Sequence, residues 1–219
     1  VVRVTGTPIR KDILYSQRCR SAEKFGLSSS KKTILVTGGS QGAQAINEVI
    51  LRCLPKLELL SSELQIIHCT GENGYEAAKA AYKQTDINAF VCSFLDDMGA
   101  AFSMADVIIC RAGATTIAEI TAIGIPAILI PYPHAADNHQ YWNAMELASN
   151  GGGYLLQQID LTPEKIIELI TDLFNNKEKY DRMKMFNKGM GIPNAASKVV
   201  DNICRVIGSK GTQFALILS

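Results

Sequence analysis

Six short apolar runs, separated by stretches with helical periodicity, most constrain how this chain can fold. The runs are rich in β-branched residues and cover residues 33–37, 64–70, 88–94, 106–110, 127–131 and, more weakly, 153–157. Strands that alternate with helices in this way predict an α/β fold, a Rossmann-like, doubly wound parallel sheet of six strands.

Helical periodicity fills the intervals and then continues alone. It covers residues 43–60, 75–84, 98–104, 115–123 and 139–149, and beyond the last strand 163–174, 179–188 and 195–207. Thr162 is a predicted N-cap, with Pro163 at the first helical position. The carboxyl-terminal part is therefore expected to be only helical and to pack on the sheet or to cross to another domain.

Three unusual loops are expected to converge on one crevice. The usual strand order for such a sheet is 3-2-1-4-5-6, and ligands bind where the order reverses, outside the carboxyl ends of strands 1 and 4. The loop after strand 1 reads "GGSQGA", the loop after strand 4 "RAGATT" and the loop after strand 5 "PYPHAADNHQ". The topology thus predicts a ligand site built from these loops.

The first loop has the chemistry of an anion site. Gly38, Gly39 and Gly42 permit positive φ and close approach of a ligand, while the helix that follows presents unpaired N–H groups and the positive end of its dipole. Ser40 would add a hydroxyl donor. The loop after strand 4 repeats the arrangement around Gly113, and two helix N-termini that face one pocket suggest a diphosphate.

Glu119, one turn into the second of these helices, could accept hydrogen bonds from the vicinal hydroxyls of a ribose. Read one by one, each feature also has a plain structural explanation. Gly-rich turns are common in α/β folds without nucleotides, Glu119 could be a solvated helix residue, and His134 and His139 could be surface residues. Their expected convergence is what favours a nucleotide-sugar site.

Three other interpretations of the first loop are nicotinamide binding, a P-loop and a serine hydrolase. It reads G-G-x-x-G without the acidic residue that nicotinamide binding requires, since Glu72 comes thirty positions after Gly42, and no Lys-Ser/Thr follows the glycines as in a P-loop. A serine hydrolase is the stronger rival, because Gly38 to Gly42 matches G-x-S-x-G with Ser40 as nucleophile. Its partners would be Asp106 or Asp137 and then His139, but no oxyanion loop precedes it.

Charge and cysteine usage narrow the classes further. The net charge is +1 without a dense Lys/Arg cluster, so electrostatic binding of nucleic acid or of an anionic membrane is not expected. The six cysteines show no metal-ligand spacing and are expected to be reduced thiols of a cytoplasmic protein, with no part in catalysis. No apolar run reaches the length of a membrane span, and because the chain does not begin with Met, residues are expected to precede it.

The segments "TGTPIR", "GGSQGAQAIN", "FLDDM", "ADVIICRAGATTIAE" and "PAILIPYPHAADNHQYWNA" occur in this order and spacing. They resemble the carboxyl-terminal half of the MurG family, the N-acetylglucosaminyltransferases that complete lipid II in bacterial peptidoglycan synthesis. The resemblance runs from about residue 4 to about residue 207. It implies a GT-B glycosyltransferase of which this half holds the donor, UDP-N-acetylglucosamine (UDP-GlcNAc).

The resemblance also implies roles for individual residues. Arg10 would contact the nucleotide, the Leu95 backbone the uracil edge, Ser40 the phosphates and Glu119 the ribose hydroxyls. His139 and Gln140 would reach the sugar. The full set of implied donor-binding residues is Arg10, Gly39, Ser40, Gln41, Gly42, Leu95, Arg111, Gly113, Ala114, Thr115, Thr116, Glu119, His139 and Gln140.

An inverting transfer is implied, in which the 4-hydroxyl of lipid-linked N-acetylmuramoyl-pentapeptide attacks the anomeric carbon as UDP leaves. The general base, the acceptor contacts and attachment to the cytoplasmic face of the inner membrane would belong to a missing amino-terminal domain. No cofactor and no metal are expected, because no Asp-x-Asp motif occurs in the loops. A non-catalytic nucleotide-sugar binding module is the alternative.

The expected domain layout has three parts. Residues 1–30 form an inter-domain segment that enters the domain, and residues 31–207 form the donor-binding domain. Residues 208–219 are a tail, expected to be disordered or derived from the cloning vector, with a buried strand or a partner contact as the alternative.

Overall fold

A computed structural model describes residues 2–39 and 42–207 of the chain. Val1, Ser40, Gln41 and residues 208–219 lie outside the described residues. The predictions that concern Ser40, Gln41 and the tail therefore concern positions outside this part of the chain.

Six parallel strands form one sheet in the order β3-β2-β1-β4-β5-β6, which confirms the predicted doubly wound topology. Each predicted run contains one strand. The bounds are β1 (Lys32–Thr37), β2 (Leu64–Cys69), β3 (Asn88–Cys92), β4 (Val107–Cys110), β5 (Ala127–Leu129) and β6 (Gly153–Leu155).

The strand register aligns the last residue of every strand. Cys69 pairs with Cys92 on one side and with Thr37 on the other, and Thr37 also pairs with Cys110. This terminal row runs across the sheet directly below the loops at its carboxyl edge. Its members are Cys92, Cys69, Thr37, Cys110, Leu129 and Leu155.

The predicted helices are all present, and two more precede the sheet. The bounds are α1 (Lys11–Tyr15), α2 (Arg18–Phe25), α3 (Gln44–Leu57), α4 (Tyr75–Tyr82), α5 (Met98–Met104), α6 (Ala114–Ile123), α7 (His139–Ser149), α8 (Pro163–Asn175), α9 (Lys177–Met190) and α10 (Ala195–Ile207).

Helices cover both faces of the sheet, as a parallel sheet requires. On one face α3, α4 and α8 pack on side chains such as Ile34 and Ile66. On the other face α2, α5, α6 and α7 pack on Leu35, Ile67 and Ile108. Neighbouring strand residues alternate between the two cores because strand side chains point to opposite faces in turn.

The segment before the sheet forms two helices that the sequence pattern did not predict, and Arg18 fixes it to the amino edge of the sheet. Ile13 and Phe25 are buried in the second core. The Arg18 guanidinium forms an ion pair of 2.8 Å with Asp106 and donates to the Met104 and Lys31 carbonyls. The predicted inter-domain role of residues 1–30 stays a prediction.

The carboxyl-terminal helices pack on the sheet layers. Thr162 caps α8 as predicted, since its Oγ1 accepts from Lys165 N at 3.3 Å. The fully buried Asn187 of α9 donates to the Ile125 and Gly152 carbonyls at 2.7 and 2.8 Å, just before β5 and β6. This single amide joins α9 to the amino edge of the sheet.

Within residues 2–39 and 42–207, none of the helices combines the length and the apolar character that crossing a bilayer requires.

Candidate functional site

A cavity of about 230 Å³ opens at the carboxyl edge of the sheet, between β1 and β4, where the strand order reverses. This is the position that the topology predicted. The cavity is lined by the last residues of β1, β2 and β4, by loop residues after β1, β3 and β4, by the residue before α1 and by α5 and α6: Arg10, Thr37, Gly39, Cys69, Phe94, Leu95, Met98, Phe102, Cys110, Arg111, Thr116 and Glu119. Six of the predicted site residues are among them.

The glycines of the first loop divide into two roles. A Cβ at Gly42, which has φ +73°, would lie 2.2 Å from the Thr70 carbonyl oxygen, so Gly42 lets the loop pass against the end of β2. Gly39, with φ +88°, has nothing within 4 Å of such a Cβ and lines the cavity. Gly39 is therefore the position open to a ligand, whereas Gly42 is fixed by packing.

Two helices begin after loops that line the cavity through Gly39 and Arg111. Ala43 precedes α3 and Gly113 precedes α6, and neither helix start has a side-chain cap among the described residues. Ala114 and Thr115 are exposed at the mouth, and Thr116 lines the cavity. Unpaired N–H groups at both starts can donate to an anion, and both dipoles add positive potential.

Glu119 lies at the inner side of α6 and faces Arg10. Its side chain is only 9% exposed, and Oε1 lies 4.0 Å from Arg10 Nη2. Burial raises the pKa of the Glu119 carboxyl, and Arg10 counteracts this only in part. The pair thus places a desolvated carboxylate in the cavity next to a half-exposed guanidinium, a good acceptor for ligand hydroxyls.

Arg111 lines the cavity, but its guanidinium already has protein partners. Nη1 donates to the Ile130 and Pro131 carbonyls at 3.2 and 3.0 Å, and Nη2 donates to Gln158 Oε1 at 2.7 Å. Burial lowers the pKa of Arg111. These contacts join the ends of β4 and β5 to the segment after β6, so the geometry favours a positioning role over direct contact with a diphosphate.

His139 and Gln140 start α7 and do not line this cavity. His139 Nδ1 lies 2.8 Å from the Ala136 carbonyl oxygen, and Gln140 Oε1 accepts from Tyr132 N at 3.0 Å. Both side chains shape the loop after β5, whose Asp137 and Asn138 have positive φ. Their predicted contact with a sugar stays a prediction.

Leu95 belongs to an apolar wall whose other members were not predicted as site residues. Phe94, Met98 and Phe102 complete this wall, and Phe94 is 56% exposed although it lines the cavity. A phenylalanine just after the end of β3, at the carboxyl edge of the sheet, was the available signal. The wall offers a flat apolar surface on which a heterocyclic base could lie.

A buried polar network lies under the first loop. His68 Nε2 is 3.1 Å from Asn47 Oδ1, His68 Nδ1 is 3.1 Å from the Tyr82 hydroxyl, and Asn47 Nδ2 donates to the Thr70 carbonyl at 2.8 Å. Because Asn47 Oδ1 can only accept, His68 carries its proton on Nε2 and accepts from Tyr82. Burial lowers the pKa of His68 to about 4, so the imidazole is neutral.

The network supports the site without touching it. The Thr70 carbonyl held by Asn47 is the same oxygen against which Gly42 packs. Asn47 is the last residue of the segment "GGSQGAQAIN", whereas no role was predicted for His68. An apolar strand with a single histidine in its interior was the signal for such a network.

The structure does not support the serine hydrolase hypothesis, because no Asp–His pair that could act with Ser40 is present among the described residues. Asp106 precedes β4 at the opposite edge of the sheet, where its carboxylate accepts from Thr33 N at 2.7 Å and pairs with Arg18. The Nδ1 atom of His139 contacts the Ala136 carbonyl. No group of three or more potential metal ligands occurs within residues 2–39 and 42–207.

Comparison with known proteins places the chain among glycosyltransferases. The model of the glycosyltransferase family 28 C-terminal domain matches residues 33–199. A UDP-N-acetylglucosamine--N-acetylmuramyl-(pentapeptide) pyrophosphoryl-undecaprenol N-acetylglucosamine transferase of Desulforamulus reducens is 38% identical over 212 residues, which are 94% of this chain and 57% of that protein. The enzyme of the same name from Syntrophotalea carbinolica is 41% identical over 203 residues, 92% of this chain and 54% of that protein.

Solved structures agree. The crystal structure of Acinetobacter baumannii MurG has a TM-score of 0.71 and 37% sequence identity, and the match covers 81% of this chain and 53% of that chain. A UDP-GlcNAc 2-epimerase from Neisseria meningitidis shares the fold, with a TM-score of 0.60 at 16% identity over 86% of this chain and 48% of that one. The chain therefore spans about half the length of the curated relatives that it matches.

Proposed function

The chain belongs to the glycosyltransferase family 28 C-terminal domain family and is of the MurG type, and from this premise we propose that it is the UDP-GlcNAc-binding half of an N-acetylglucosaminyltransferase. The proposed reaction transfers N-acetylglucosamine to lipid-linked N-acetylmuramoyl-pentapeptide and completes lipid II. One observation carries the proposal: Gly39 of the loop that leads to α3, Thr116 in the first turn of α6, Glu119 and an apolar wall line one cavity at the switch point of the sheet.

Each part of the proposed donor has a chemical counterpart in this cavity. The uracil would lie on the wall formed by Phe94, Leu95 and Met98, with its edge at the Leu95 backbone. The ribose hydroxyls would donate to the Glu119 carboxylate beside Arg10. A ligand that combines a flat base, vicinal hydroxyls and an anion uses all three features.

The diphosphate would lie between the two helix N-termini. The loop after β1, with Gly39, Ser40, Gln41 and Gly42, would donate from one side, and Gly113 to Thr116 from the other. The N–H groups of Gly39 and of the α6 start are held by the fold before the reaction, so they would stabilise negative charge as it develops on the leaving UDP. In our proposal this chain assists departure of the leaving group, while the general base lies outside its 219 residues.

The contacts to the transferred sugar would come from His139 and Gln140 at the start of α7. The acceptor lipid, and peripheral attachment to the cytoplasmic face of the membrane, are assigned in this proposal to the rest of the protein. The expected division of labour is donor binding in this chain and acceptor binding elsewhere. By itself, the chain is expected to bind the nucleotide sugar without transferring it.

Calorimetric titration of the chain with UDP-GlcNAc, UDP-glucose and NADH tests the donor assignment. We expect UDP-GlcNAc to bind, UDP-glucose to bind more weakly and NADH not to bind. The Glu119→Ala variant should weaken binding, whereas Glu164→Ala, at an exposed helix start on α8, should leave it unchanged. Lack of any uridine-nucleotide binding, or equal binding of NADH, would refute the assignment.

Transfer itself requires a second experiment. A chimaera in which this chain replaces the matching half of the Acinetobacter baumannii protein should form lipid II from UDP-GlcNAc and a lipid I analogue. The same chimaera with Glu119→Ala should have a higher KM for UDP-GlcNAc. A folded chimaera that binds the donor and transfers no sugar would limit this chain to nucleotide-sugar binding.

A further inference from the structure

The floor of the cavity contains two neighbouring cysteines that the proposed function does not use. Cys69 and Cys92 are the last residues of β2 and β3 and pair directly in the strand register. Both side chains belong to the second core, so they lie on the same face of the sheet. In the terminal row, they are the one pair of adjacent members that are both cysteines, because Thr37 separates Cys69 from Cys110.

The spacing of the two cysteines suits a covalent bond. Adjacent strands lie about 4.8 Å apart, and disulfides join Cα atoms separated by roughly 4.4 to 6.8 Å. Because both side chains extend to the same face of the sheet, the two sulfur atoms lie on the same side of neighbouring strand ends. Sulfur–sulfur bond formation therefore requires little movement of the backbone.

Cys69 has the surroundings of a reactive thiol. Its thiol donates to the Ser93 carbonyl at 3.7 Å, and the hydrogen-bond donors around its sulfur are the Cys92 thiol, the Thr37 hydroxyl and the backbone N–H groups of Gly71 and Leu95. These donors, with that of Cys92 first, lower the pKa of Cys69 to about 7 against the effect of burial. Cys69 also lines the cavity, so a small reagent can reach it.

Two other buried cysteines, Cys110 and Cys53, lack this environment. Cys110 lines the same cavity, but burial raises the pKa of its thiol well above the ordinary value. Cys53 is completely buried, with a pKa raised to about 12, and its sulfur contacts the Pro163 carbonyl at 3.7 Å. Neither has a second thiol beside it in the strand register.

We propose that Cys69 and Cys92 form a peroxide-oxidised dithiol, with Cys69 as the reacting and Cys92 as the resolving cysteine, and that its disulfide closes the nucleotide cavity. The Cys69 thiolate attacks hydrogen peroxide, breaks the O–O bond and becomes a sulfenic acid with release of hydroxide. The Cys92 thiol then attacks that sulfur, and the disulfide forms as water leaves. Two electrons pass to the peroxide, and a thiol reductant reverses the change.

Closure of the cavity follows from what Cys69 contacts. Cys69 and Leu95 line the same cavity, and the uracil edge is assigned to the Leu95 backbone. A bond to Cys92 takes the Cys69 side chain out of its reduced position in this lining and so changes the cavity beside Leu95. This part of the inference rests on the proposed function, whereas the oxidation chemistry does not.

Mass spectrometry of the intact 219-residue chain tests the chemistry. The reduced chain is treated with graded hydrogen peroxide, its remaining thiols are alkylated, and each cysteine is quantified after digestion. We expect a Cys69–Cys92 crosslink to appear while Cys53 and Cys110 remain alkylated. In Cys92→Ser, Cys69 should stop at a sulfenic acid that dimedone traps; in Cys69→Ser, Cys92 should stay reduced; and Cys110→Ser should crosslink like the wild type.

A second measurement separates the two parts of the inference. UDP is titrated into the reduced chain, the oxidised chain and the oxidised chain after dithiothreitol treatment. We expect oxidation to weaken binding by about tenfold or more and the reductant to restore it. Absence of the crosslink, or oxidation of Cys69 no faster than that of Cys110, overturns the dithiol.

A crosslink without loss of UDP affinity overturns the closure. If the reduced chain binds no UDP, the proposed function fails, and the crosslink seen by mass spectrometry still decides whether the dithiol exists.

Discussion

Glu119 Oε1 lies 4.0 Å from Arg10 Nη2, and the carboxylate is buried while the guanidinium is half exposed. This relationship joins a residue before α1 to the middle of α6, at the inner end of the candidate site. The pKa of Glu119 is raised although Arg10 is close, because desolvation exceeds the attraction of the guanidinium. The ion pair with Arg10 thus leaves the Glu119 carboxylate able to accept a hydrogen bond from a ligand hydroxyl.

Replacing Glu119 with Gln should weaken UDP binding and remove its acid dependence. The ionised carboxylate is the better acceptor, so the loss should be about tenfold to a hundredfold in affinity. In the wild type, affinity should fall as the pH decreases through the raised pKa of Glu119, above the ordinary range of a glutamate. Calorimetry over a pH series measures both effects.

The same substitution should stabilise the fold at neutral pH. A raised folded-state pKa means that the folded chain binds the proton more tightly, so stability is present below the unfolded pKa and is lost as the pH rises through the folded one. Thermal unfolding should show a higher Tm for Glu119→Gln than for wild type above that range. Glu164→Gln changes an exposed residue and should leave Tm unchanged. A lower Tm for Glu119→Gln than for wild type would contradict this prediction.

His68 should make the fold sensitive to acid. Its pKa falls from 6.5 to about 4 on folding, so its contribution is present above pH 6.5 and is lost as the pH decreases toward about 4. This amounts to roughly 3 kcal/mol of unfolding free energy. Urea denaturation at several pH values should therefore show a shallower acid loss for His68→Gln than for wild type. His134→Gln, at an exposed position, should keep the wild-type slope, and equal slopes in all three proteins would refute the assignment.

Gly42→Ala should cost more stability than a positive φ alone explains. The new Cβ would meet the Thr70 carbonyl oxygen at 2.2 Å, at a φ of +73°. Gly151→Ala is the matched control, since Gly151 has φ +84° and nothing within 4 Å. The control should lose about 1–2 kcal/mol, and Gly42→Ala clearly more, with weaker UDP binding. Equal midpoints of denaturation would show that the loop moves aside.

Arg111→Met should lower stability by about 2 kcal/mol, because it leaves two carbonyls and Gln158 without their charged donor. A double-mutant cycle with Gln158→Ala should give a positive coupling energy. Because Arg111 is assigned a positioning role, affinities for UDP and for uridine should fall by similar factors. Selective loss of UDP affinity would instead make Arg111 a ligand of the diphosphate.

The sheet could be predicted from sequence because its strands are continuous apolar runs with turn residues between them. The convergence of the loops after β1 and β4 on one cavity followed from the topology, whereas the loop after β5, which was expected to join them, contributes no residue to its lining. Helices α1 and α2 escaped prediction because they are short and mostly polar: α2 reads RCRSAEKF and buries only Ser21, Ala22 and Phe25. The signal present was Gly26, which ends α2 in a left-handed conformation.

Within the site, residue types were predicted more readily than their partners. Glu119 and Gly39 lie where the sequence suggested. The hydrogen bonds of Arg111 to the Ile130 and Pro131 carbonyls could not be foreseen, because they depend on how closely β4 and β5 end together. The same holds for Cys69 and Cys92, which are far apart in sequence and meet only through the register of β2 and β3.

The starts of α3 and α6, which have no side-chain cap in the part of the chain that the structure describes, have a consequence for selectivity. Every residue except proline supplies a backbone N–H group. An anion-binding site made from these groups therefore adds nothing to the formal charge of the protein. A chain of net charge +1 can in this way hold a dianion without a basic surface that would also collect nucleic acids and other polyanions. It also follows that substitutions at Ala114 or Thr115 should be tolerated unless they introduce proline.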